Sequence, residues 1–278
     1  MLPRFVLIKG AGDLATGVAH RLYRSGFKVV LTEQEKPTVV RRTVSFAEAV
    51  FKGEWEVEGV RARCLTDPVQ AFEVLAAGEV PVIVDPTLES LPILSPDVFI
   101  EVTLSKRNSG VDKGMAPLVV ALGPGYHAGI DVHAVVETAR GHYMGRVIYE
   151  GEAIPNTGIP GDIGGFTIER LLQAPCDGIF KASRRIGETV KKGEVVAFVD
   201  GQPIRSQIDG VLRGLLHDGL KVKKGMKAGD VDPRAQREHC FTISDKARAV
   251  AGGVLESILY LSRRRQLSVP FKTRRIPR

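Results

Sequence analysis

The sequence predicts an α/β protein: a domain built on a doubly wound parallel sheet, followed by an all-β domain and a C-terminal helix. Three observations lead to this fold class. Residues 5–33 read as an apolar strand, a glycine-rich turn, an amphipathic helix and a second strand. Strands and short helices then alternate as far as residue 122, which is typical of a parallel sheet. Finally, residues 177–200 recur as residues 209–232, which indicates two equivalent β units.

These patterns divide the chain into four segments. Residues 1–150 are expected to form a Rossmann-like nucleotide-binding domain that ends in a hairpin, and residues 151–243 the all-β domain. Residues 244–262 are expected to form a helix that docks on the first domain. The rest, residues 263–278, is expected to be a basic tail.

The turn after the first strand has the chemistry of a phosphate site. Gly10 can make the tight bend, and Gly12, which lacks a Cβ atom, lets a phosphate approach the backbone. Ala15 is small enough for the helix to lie close to the strand. The start of the helix offers unpaired N–H groups and a partial positive charge to a pyrophosphate. Asp13 would put a negative charge beside that group, or it would cap the helix instead.

Glu33 ends the second strand, where a carboxylate typically accepts hydrogen bonds from a ribose. A carboxylate there repels a 2′-phosphate, so the sequence favours NAD over NADP as the cofactor. The expected cofactor-binding residues are Gly10, Gly12, Asp13, Leu14, Ala15, Glu33, Asp85, Gly123 and Gly125. The alternative is a doubly wound domain whose first turn binds nothing.

The later elements of the first domain follow from apolar spacing. Helices are predicted around residues 45–51 and over 69–77, and strands over 55–63, 80–84, 99–104 and 118–122. Asp85, Lys106 and the loop 123–125 each come after one of these strands, and ligands bind beyond the carboxyl ends of strands in such sheets. A ligand is therefore expected near them. Arg41 and Arg42 could also face a phosphate, although an exposed pair is the preferred interpretation.

Three histidines lie close together in the sequence after this region. His127, His133 and His142 could form a metal site or an acid–base pair, but their spacing matches no standard ligand motif. The preferred interpretation is that residues 132–137 and 146–149 form the two strands of a structural hairpin that carries polar side chains. No metal is therefore expected, and a role for His127 or His133 is left open.

The all-β domain is predicted from its repeat. Asp177–Gly178 and Val190–Gly193 recur as Asp209–Gly210 and Val222–Gly225. The two halves are expected to close edge to edge about a pseudo-twofold axis, and they resemble the barrel-sandwich fold of biotinyl and lipoyl carrier domains. A carrier needs an exposed lysine at the tip between the halves, whereas residues 200–203 read Asp-Gly-Gln-Pro. We therefore expect no attachment of biotin or lipoate.

The two ends of this domain are marked by composition. The Gly- and Pro-rich residues 156–165 indicate a linker or a close-packed crossing into the domain. Ser244 can cap the final helix, whose apolar face is formed by Ala247, Val250, Val254, Leu255, Ile258 and Leu261.

Composition limits the classes of function. The 278 residues are 44% hydrophobic and 26% charged, as in an ordinary globular protein. The net charge of +7 comes from the end of the chain, because Arg263 and the residues after it include seven Lys or Arg and no Asp or Glu. Nucleic-acid binding is not expected, since this segment has almost no interleaved aromatic residues.

Cysteine use and hydropathy predict the compartment. Cys64, Cys176 and Cys240 are scattered, which argues for a reducing compartment and against a disulfide framework or a structural zinc site. The sequence shows no signal peptide and no apolar run long enough to span a bilayer. A cytoplasmic protein without membrane contact is expected.

Several short segments together resemble the YqeB family, accessory proteins of the selenium-dependent molybdenum hydroxylase system. They are KGAGDLA at 9–15, ALGPGYHAG at 121–129, ETARGH at 137–142, NTGIPG at 156–161 and SDKAR at 244–248. The resemblance extends to about Leu261. It implies a factor that matures a molybdenum hydroxylase of the xanthine dehydrogenase type, with that enzyme or its maturation machinery as the partner. It implies no particular reaction.

The leading hypothesis is thus a maturation factor that binds NAD(H) or another nucleotide at the glycine turn. One alternative is a free-standing NAD-dependent oxidoreductase that acts on a small molecule. Another is a non-catalytic binding module whose nucleotide fold has lost its ligand. The sequence assigns no catalytic residue and leaves open whether the protein is an enzyme.

Overall fold

The structure, a computed structural model, describes residues 5–268. The first part of the chain contains four helices and eleven strands. In chain order they are β1 (Phe5–Lys9), α1 (Asp13–Arg24), β2 (Lys28–Glu33), α2 (Glu48–Lys52), β3 (Glu54–Val57), β4 (Val60–Leu65), α3 (Ala71–Ala76), β5 (Val80–Val84), α4 (Ser90–Leu94), β6 (Val98–Glu101), β7 (Leu118–Leu122), β8 (His127–Ala128), β9 (Ala134–Val136), β10 (Val147–Ile148) and β11 (Gly151–Glu152).

Nine of these strands form one sheet, in the order β10-β9-β7-β6-β1-β2-β5-β4-β3. The seven inner strands are parallel, whereas β10 and β3 run antiparallel to their neighbours. Val6 and Ile8 of β1 pack under α1 on one face, and Leu7 and Phe99 pack on the other face. Among the described residues, the short helices α3 and α4, the strand β8 and several loops cover this second face.

The predicted fold class, a Rossmann-like parallel sheet joined to a barrel-sandwich domain, is wrong, because the large sheet is mixed. At one edge the predicted strand over 55–63 is two strands joined at Glu58 and Gly59. Both of these residues have positive φ angles, +47° and +76°. Such a tight turn reverses the chain, so β3 must run antiparallel to β4. A backbone reversal of this kind is invisible to apolar spacing.

The second part of the chain forms two four-stranded antiparallel sheets. Its strands are β12 (Leu171–Gln173), β13 (Gly178–Ala182), β14 (Thr189–Val190), β15 (Val195–Val199), β16 (Gln202–Arg205), β17 (Gly210–Leu215), β18 (Lys221–Val222) and β19 (Lys227–Asp232). One sheet has the order β12-β19-β17-β14 and the other β16-β15-β13-β18. Each half of the repeat thus gives its short strand, β14 or β18, to the sheet of the other half. The repeat predicted the two similar halves but not this exchange of strands.

The last element, α5 (Asp245–Ser268), packs across α1. Ser244 precedes it, and the Ser244 hydroxyl accepts a hydrogen bond from the Ala247 amide at 3.2 Å. The helix continues six residues past the predicted end at Ser262, and residues 269–278 of the predicted basic tail lie outside the described residues. Among residues 5–268, no helix has the length and apolar character needed to cross a membrane.

The two parts of the chain share a packed boundary. Val40 and Phe51, from the first part, pack against the core of the two small sheets. The Leu215 amide donates to the Val40 carbonyl oxygen at 2.8 Å, and Arg42 Nε donates to the Leu215 carbonyl oxygen at 2.9 Å. This boundary brings β17 and β19 beside the N-terminal ends of α1 and α5.

Candidate functional site

The glycine turn forms between β1 and α1, and its nearest carboxylate is already bonded to the backbone. Gly10 has a φ angle of +99°, and its amide donates to the Thr32 carbonyl oxygen at 2.9 Å. The Ala11 amide donates to Glu33 Oε2 at 2.9 Å, and the Gln34 amide donates to Glu33 Oε1 at 2.8 Å. Burial raises the pKa of Glu33, against the lowering effect of these two hydrogen bonds. A ribose hydroxyl would have to compete with two backbone amides for this carboxylate.

The predicted residues at the start of α1 have different surroundings. Leu14 and Ala15 are buried in the core beneath the helix, so their side chains do not reach a ligand. Gly12 is the N-cap residue, and no side chain caps the helix there. Asp13 is partly exposed and forms an ion pair with Arg41, with 3.5 Å between Asp13 Oδ2 and Arg41 Nη1.

Asp85, Gly123 and Gly125 lie farther along the carboxyl edge of the sheet. Asp85 accepts hydrogen bonds from the Glu89 and Ser90 amides at 3.0 and 2.8 Å. These bonds stabilise the loop that follows β5. Both glycines allow close packing. A Cβ atom at Gly123 would lie 2.6 Å from Thr138 Oγ1, and one at Gly125 would lie 2.5 Å from the Arg107 amide nitrogen. No ligand contact is needed to explain these three residues, and their predicted role stays a prediction.

The three histidines do not converge on one site. His133 Nδ1 accepts a hydrogen bond from the Val119 amide at 3.0 Å. His127 Nδ1 lies 2.9 Å from the Ala128 carbonyl oxygen, and the His142 ring stacks edge-on against Tyr143. Within the part of the chain that the structure describes, no group of three or more His, Cys, Asp or Glu could hold a metal ion.

A second group of charged residues gathers where the two parts of the chain meet. We call it the junction cluster, and it consists of Asp13, Arg41, Arg213, Asp232 and Lys246. Arg41 Nη2 and Arg213 Nε both donate to the carbonyl oxygen of His239, at 2.9 and 3.4 Å. Arg213 Nη1 lies 3.6 Å from Asp232 Oδ2. The two guanidinium groups therefore lie side by side, and they share one neutral acceptor.

Burial and charge shape the electrostatics of this cluster. Arg41 is only 7% exposed, so the preferred interpretation of Arg41 and Arg42 as an exposed pair is wrong for Arg41. Burial lowers the pKa of the Arg213 guanidinium, and the nearby charge of Arg41 lowers it further. Burial also lowers the pKa of Lys246, although the negative charge of Asp13 raises it. Burial thus disfavours the charged form of both groups, and the charge of Arg41 adds to this effect at Arg213.

Two carboxylates at this junction are also bonded to arginines outside the cluster. Asp232, at the end of β19, is fully buried and accepts hydrogen bonds from Arg234 Nη2 at 2.7 Å and Nε at 3.0 Å. Asp245 accepts two hydrogen bonds from Arg140, at 2.8 and 3.0 Å. Arg41 Nε is buried without a hydrogen-bond partner, and Lys246 Nζ forms no hydrogen bond or ion pair with another described residue. The junction cluster itself thus has three cations and two carboxylates, and Asp232 is shared with Arg234.

Most of the junction cluster could not be found from the sequence. Arg213 aligns with Lys181 in the repeat, but Lys181 is exposed on β13 whereas Arg213 is buried on β17. The difference arises because β17 packs against the first part of the chain, where a Cβ atom at Gly214 would lie 3.0 Å from the Val40 carbonyl oxygen. In the sequence, the adjacent pair Arg41–Arg42 was the signal that a charged site could form here.

These features define a mixed α/β protein with a charged junction between its two parts. Comparison with known proteins identifies a relative of this chain. The chain is 49% identical over 258 residues to the protein YqeB of Escherichia coli K12, which is described as uncharacterized. The match covers 93% of this chain and 48% of that protein, so the chain spans about half the length of its relative. It supports the resemblance to the YqeB family. No family model matches the chain.

Solved structures give only distant similarities. The chain is 15% identical to a succinylglutamate desuccinylase from Silicibacter sp. TM1040, with a TM-score of 0.24 and coverage of 83% of this chain and 85% of that one. An aspartoacylase family protein from Mesorhizobium loti is 10% identical, with a TM-score of 0.26 and coverage of 84% and 87%. The ectoine utilization protein EutE (DoeB) from Ruegeria pomeroyi is 13% identical, with a TM-score of 0.27 and coverage of 83% and 85%. Similarity at this level gives no evidence that this chain shares a reaction with these proteins.

The predicted function, an NAD(H)-binding maturation factor for a molybdenum hydroxylase, is wrong, as is the alternative of an NAD-dependent oxidoreductase. In the chain itself, Glu33 is bonded to the turn that was expected to hold the cofactor. The expected molybdenum hydroxylase partner and the cytoplasmic location are tested by none of these observations and stay predictions.

Proposed function

We propose that the chain binds a small ligand carrying a phosphate or carboxylate group at the junction cluster. The observation that carries the proposal is the pair of buried guanidinium groups, Arg41 and Arg213, which donate to the same carbonyl oxygen of His239. Like charges held this close in a poorly hydrated site repel each other, and a bound anion would offset that repulsion.

The surroundings of the pair suit an oxyanion. Arg41 Nε has no partner, and a guanidinium is well shaped to bind two oxygens of one phosphate or carboxylate. Lys246 would add a third positive charge. The uncapped start of α1 lies beside Asp13 and contributes a partial positive charge of its own. Asp13 and Lys246 are partly exposed, so they form the side from which a ligand enters.

The proposal is tested with inorganic phosphate and acetate as probes. Phosphate at ten times its Kd should raise the free energy of unfolding by about 1.4 kcal/mol, because only the folded chain binds it. Unfolding in urea is measured with phosphate and with sodium chloride at equal ionic strength, which separates binding from screening. Acetate in place of phosphate distinguishes a carboxylate site from a phosphate site.

Two lysine variants complete the experiment. Lys246→Met should lose most of the stabilisation by the anion. Without the anion it should be at least as stable as the original chain, because it removes a half-buried cation. Lys28→Met, at an exposed position on β2, is the matched control and should respond to phosphate as the original chain does. Equal stabilisation by phosphate and chloride, or an unchanged response of Lys246→Met, would overturn the proposal.

A further inference from the structure

A separate group of side chains lies on the other face of the large sheet, at the carboxyl ends of β1 and β6. We call it the Lys9 cluster, and it consists of Lys9, Glu101, Ser109 and Tyr126. In the sheet, β2 lies on one side of β1 and β6 lies on its other side, so the strand order reverses at β1. In open α/β sheets, the crevice at such a reversal of strand order is the usual place for a ligand.

The distances within the Lys9 cluster centre on one hydroxyl group. Lys9 Nζ donates to Ser109 Oγ at 3.0 Å and lies 3.3 Å from Glu101 Oε2. Ser109 Oγ lies 3.4 Å from Glu101 Oε2 and 3.3 Å from the Tyr126 hydroxyl. Glu101 and Tyr126 are each 1% exposed, whereas Ser109 is exposed. The hydroxyl of an exposed serine thus lies beside an ion pair whose carboxylate is buried.

We propose that Ser109 is a nucleophile that attacks carboxylic esters, with Glu101 as the general base. An ammonium has no lone pair, so the Glu101 carboxylate is the charged acceptor within reach of the Ser109 proton. Lys9 binds Glu101 and Ser109 with two of its N–H groups. Its third N–H is left for the ester oxygen that becomes negative.

The reaction needs only Ser109, Glu101, Lys9, the ester and water. Ser109 Oγ forms a bond to the ester carbon while its proton passes to Glu101 Oε2, and the carbonyl electrons move onto the oxygen that Lys9 faces. When the carbonyl re-forms, the bond from carbon to the alcohol oxygen breaks and the alcohol leaves with the proton from Glu101. Water then cleaves the acyl-serine in the reverse sense, with Glu101 again taking a proton.

The loop around Ser109 does not need this side chain for its own shape. Asn108 Oδ1 accepts hydrogen bonds from the Gly110 and Val111 amides at 2.9 and 2.8 Å, and Asn108 Nδ2 donates to the Val111 carbonyl oxygen at 3.0 Å. Lys106, earlier in the loop, has a φ angle of +64°, a strained value for a residue with a side chain. The loop is thus held by Asn108, which leaves the Ser109 hydroxyl for the buried pair.

The test uses an alkyl fluorophosphonate, which reacts with an activated serine by forming an Oγ–P bond and releasing fluoride. The labelled peptides are identified and followed in time by mass spectrometry. Ser109 should be labelled much faster than Ser105, an exposed serine of the same loop that serves as an internal control. Glu101→Gln should slow the labelling of Ser109 by about 100-fold or more, which is the usual contribution of a general base.

Further variants test whether the label depends on the Ser109 hydroxyl. Ser109→Ala should abolish both the label on this peptide and the release of p-nitrophenolate from p-nitrophenyl acetate, and Ser105→Ala should change neither. Lys28→Met, at an exposed position outside both clusters, should label like the original chain. Labelling of Ser109 at the rate of Ser105 would overturn the proposal, and this comparison needs no variant that might unfold. Equal labelling of a folded Glu101→Gln variant would overturn it as well.

Discussion

At the scale of single residues, the same residue type serves different purposes in this chain. Gly10 is required by a positive φ angle in the turn after β1. Gly17 instead allows α5 to approach α1, because a Cβ atom there would lie 2.7 Å from the Ala247 Cβ atom. Charged residues differ in the same way. Arg41 is buried at the junction cluster, while its neighbour Arg42 keeps a partly exposed side chain that pairs with Glu48.

The first prediction concerns Gly17. Gly17→Ala should lower the free energy of unfolding by about 1–3 kcal/mol, because overpacking forces the two helices apart. The gain of up to about 1 kcal/mol in helix propensity does not offset this cost. Unfolding in urea measures the difference.

Gly252→Ala in α5 is the matched control, since nothing lies within 4 Å of the added Cβ atom. It should leave the chain equally stable, or more stable by up to about 1 kcal/mol. A Gly17→Ala variant as stable as Gly252→Ala would show that the helices do not pack as described.

At the scale of elements, α5 is the clearest case of a helix held by tertiary contacts. Val250, Val254 and Ile258 are fully buried against α1 and the large sheet. Ion pairs hold the start of the helix: Arg140 binds Asp245, and Arg248 binds Glu58 at 2.8 and 2.9 Å. These contacts fix which face of the helix turns inward.

The second prediction follows from that face. Ile258→Ala should lower the free energy of unfolding by about 2–5 kcal/mol, the usual cost of removing a buried branched side chain and leaving a cavity. Leu259→Ala, one residue later and 40% exposed, should cost much less. Urea unfolding of the two variants side by side is the measurement. Equal costs would mean that α5 is rotated from the described orientation.

At the scale of the whole molecule, the two parts are joined by backbone hydrogen bonds and by buried charge. Gly214 allows the close contact, because a Cβ atom there would lie 3.0 Å from the Val40 carbonyl oxygen. Asp232 is the buried carboxylate of this boundary, and it holds both Arg213 and Arg234. Burial acts to raise the pKa of Asp232, but the hydrogen bonds and charge of Arg234 and the charge of Arg213 bring it below its ordinary value.

The third prediction concerns this carboxylate. Asp232→Asn should lower the free energy of unfolding at pH 7 by about 3–5 kcal/mol, because it leaves the buried Arg213 without its counter-charge. A carboxyl with a lowered folded pKa contributes stability above its unfolded pKa of about 3.9, and this stability is lost as the pH falls through the folded pKa. The difference between the original chain and Asp232→Asn should therefore shrink at pH 3.

Urea unfolding at pH 7 and pH 3 is the measurement. The exposed pair of Asp177 and Lys223 provides the control, and Asp177→Asn should change stability little at either pH. A difference between the original chain and Asp232→Asn that stays constant from pH 7 to pH 3 would contradict the assigned cause.

The amino-acid sequence by itself determined the local features of this protein. The apolar spacing over residues 5–33 is enough to predict β1, the glycine turn, α1 and β2, because strand and helix periodicity depend only on neighbouring residues. The repeat likewise predicts two similar sets of short strands. The resemblance to the YqeB family also came from the sequence, and the similarity to the Escherichia coli protein supports it.

Only the tertiary structure decided where these features meet. The antiparallel edges of the large sheet, the exchange of β14 and β18, and the burial of Arg213 but not of Lys181 all depend on residues far apart in the chain. The hydrogen bond of Glu33 also depends on the tertiary structure, because its carboxylate accepts a hydrogen bond from the Ala11 amide of the turn. The sequence had predicted a ribose as its partner. Ser109 meets Lys9 only because β1 and β6 are neighbours in the sheet. Strand order and burial, which local spacing does not encode, thus select the residues that form both proposed sites.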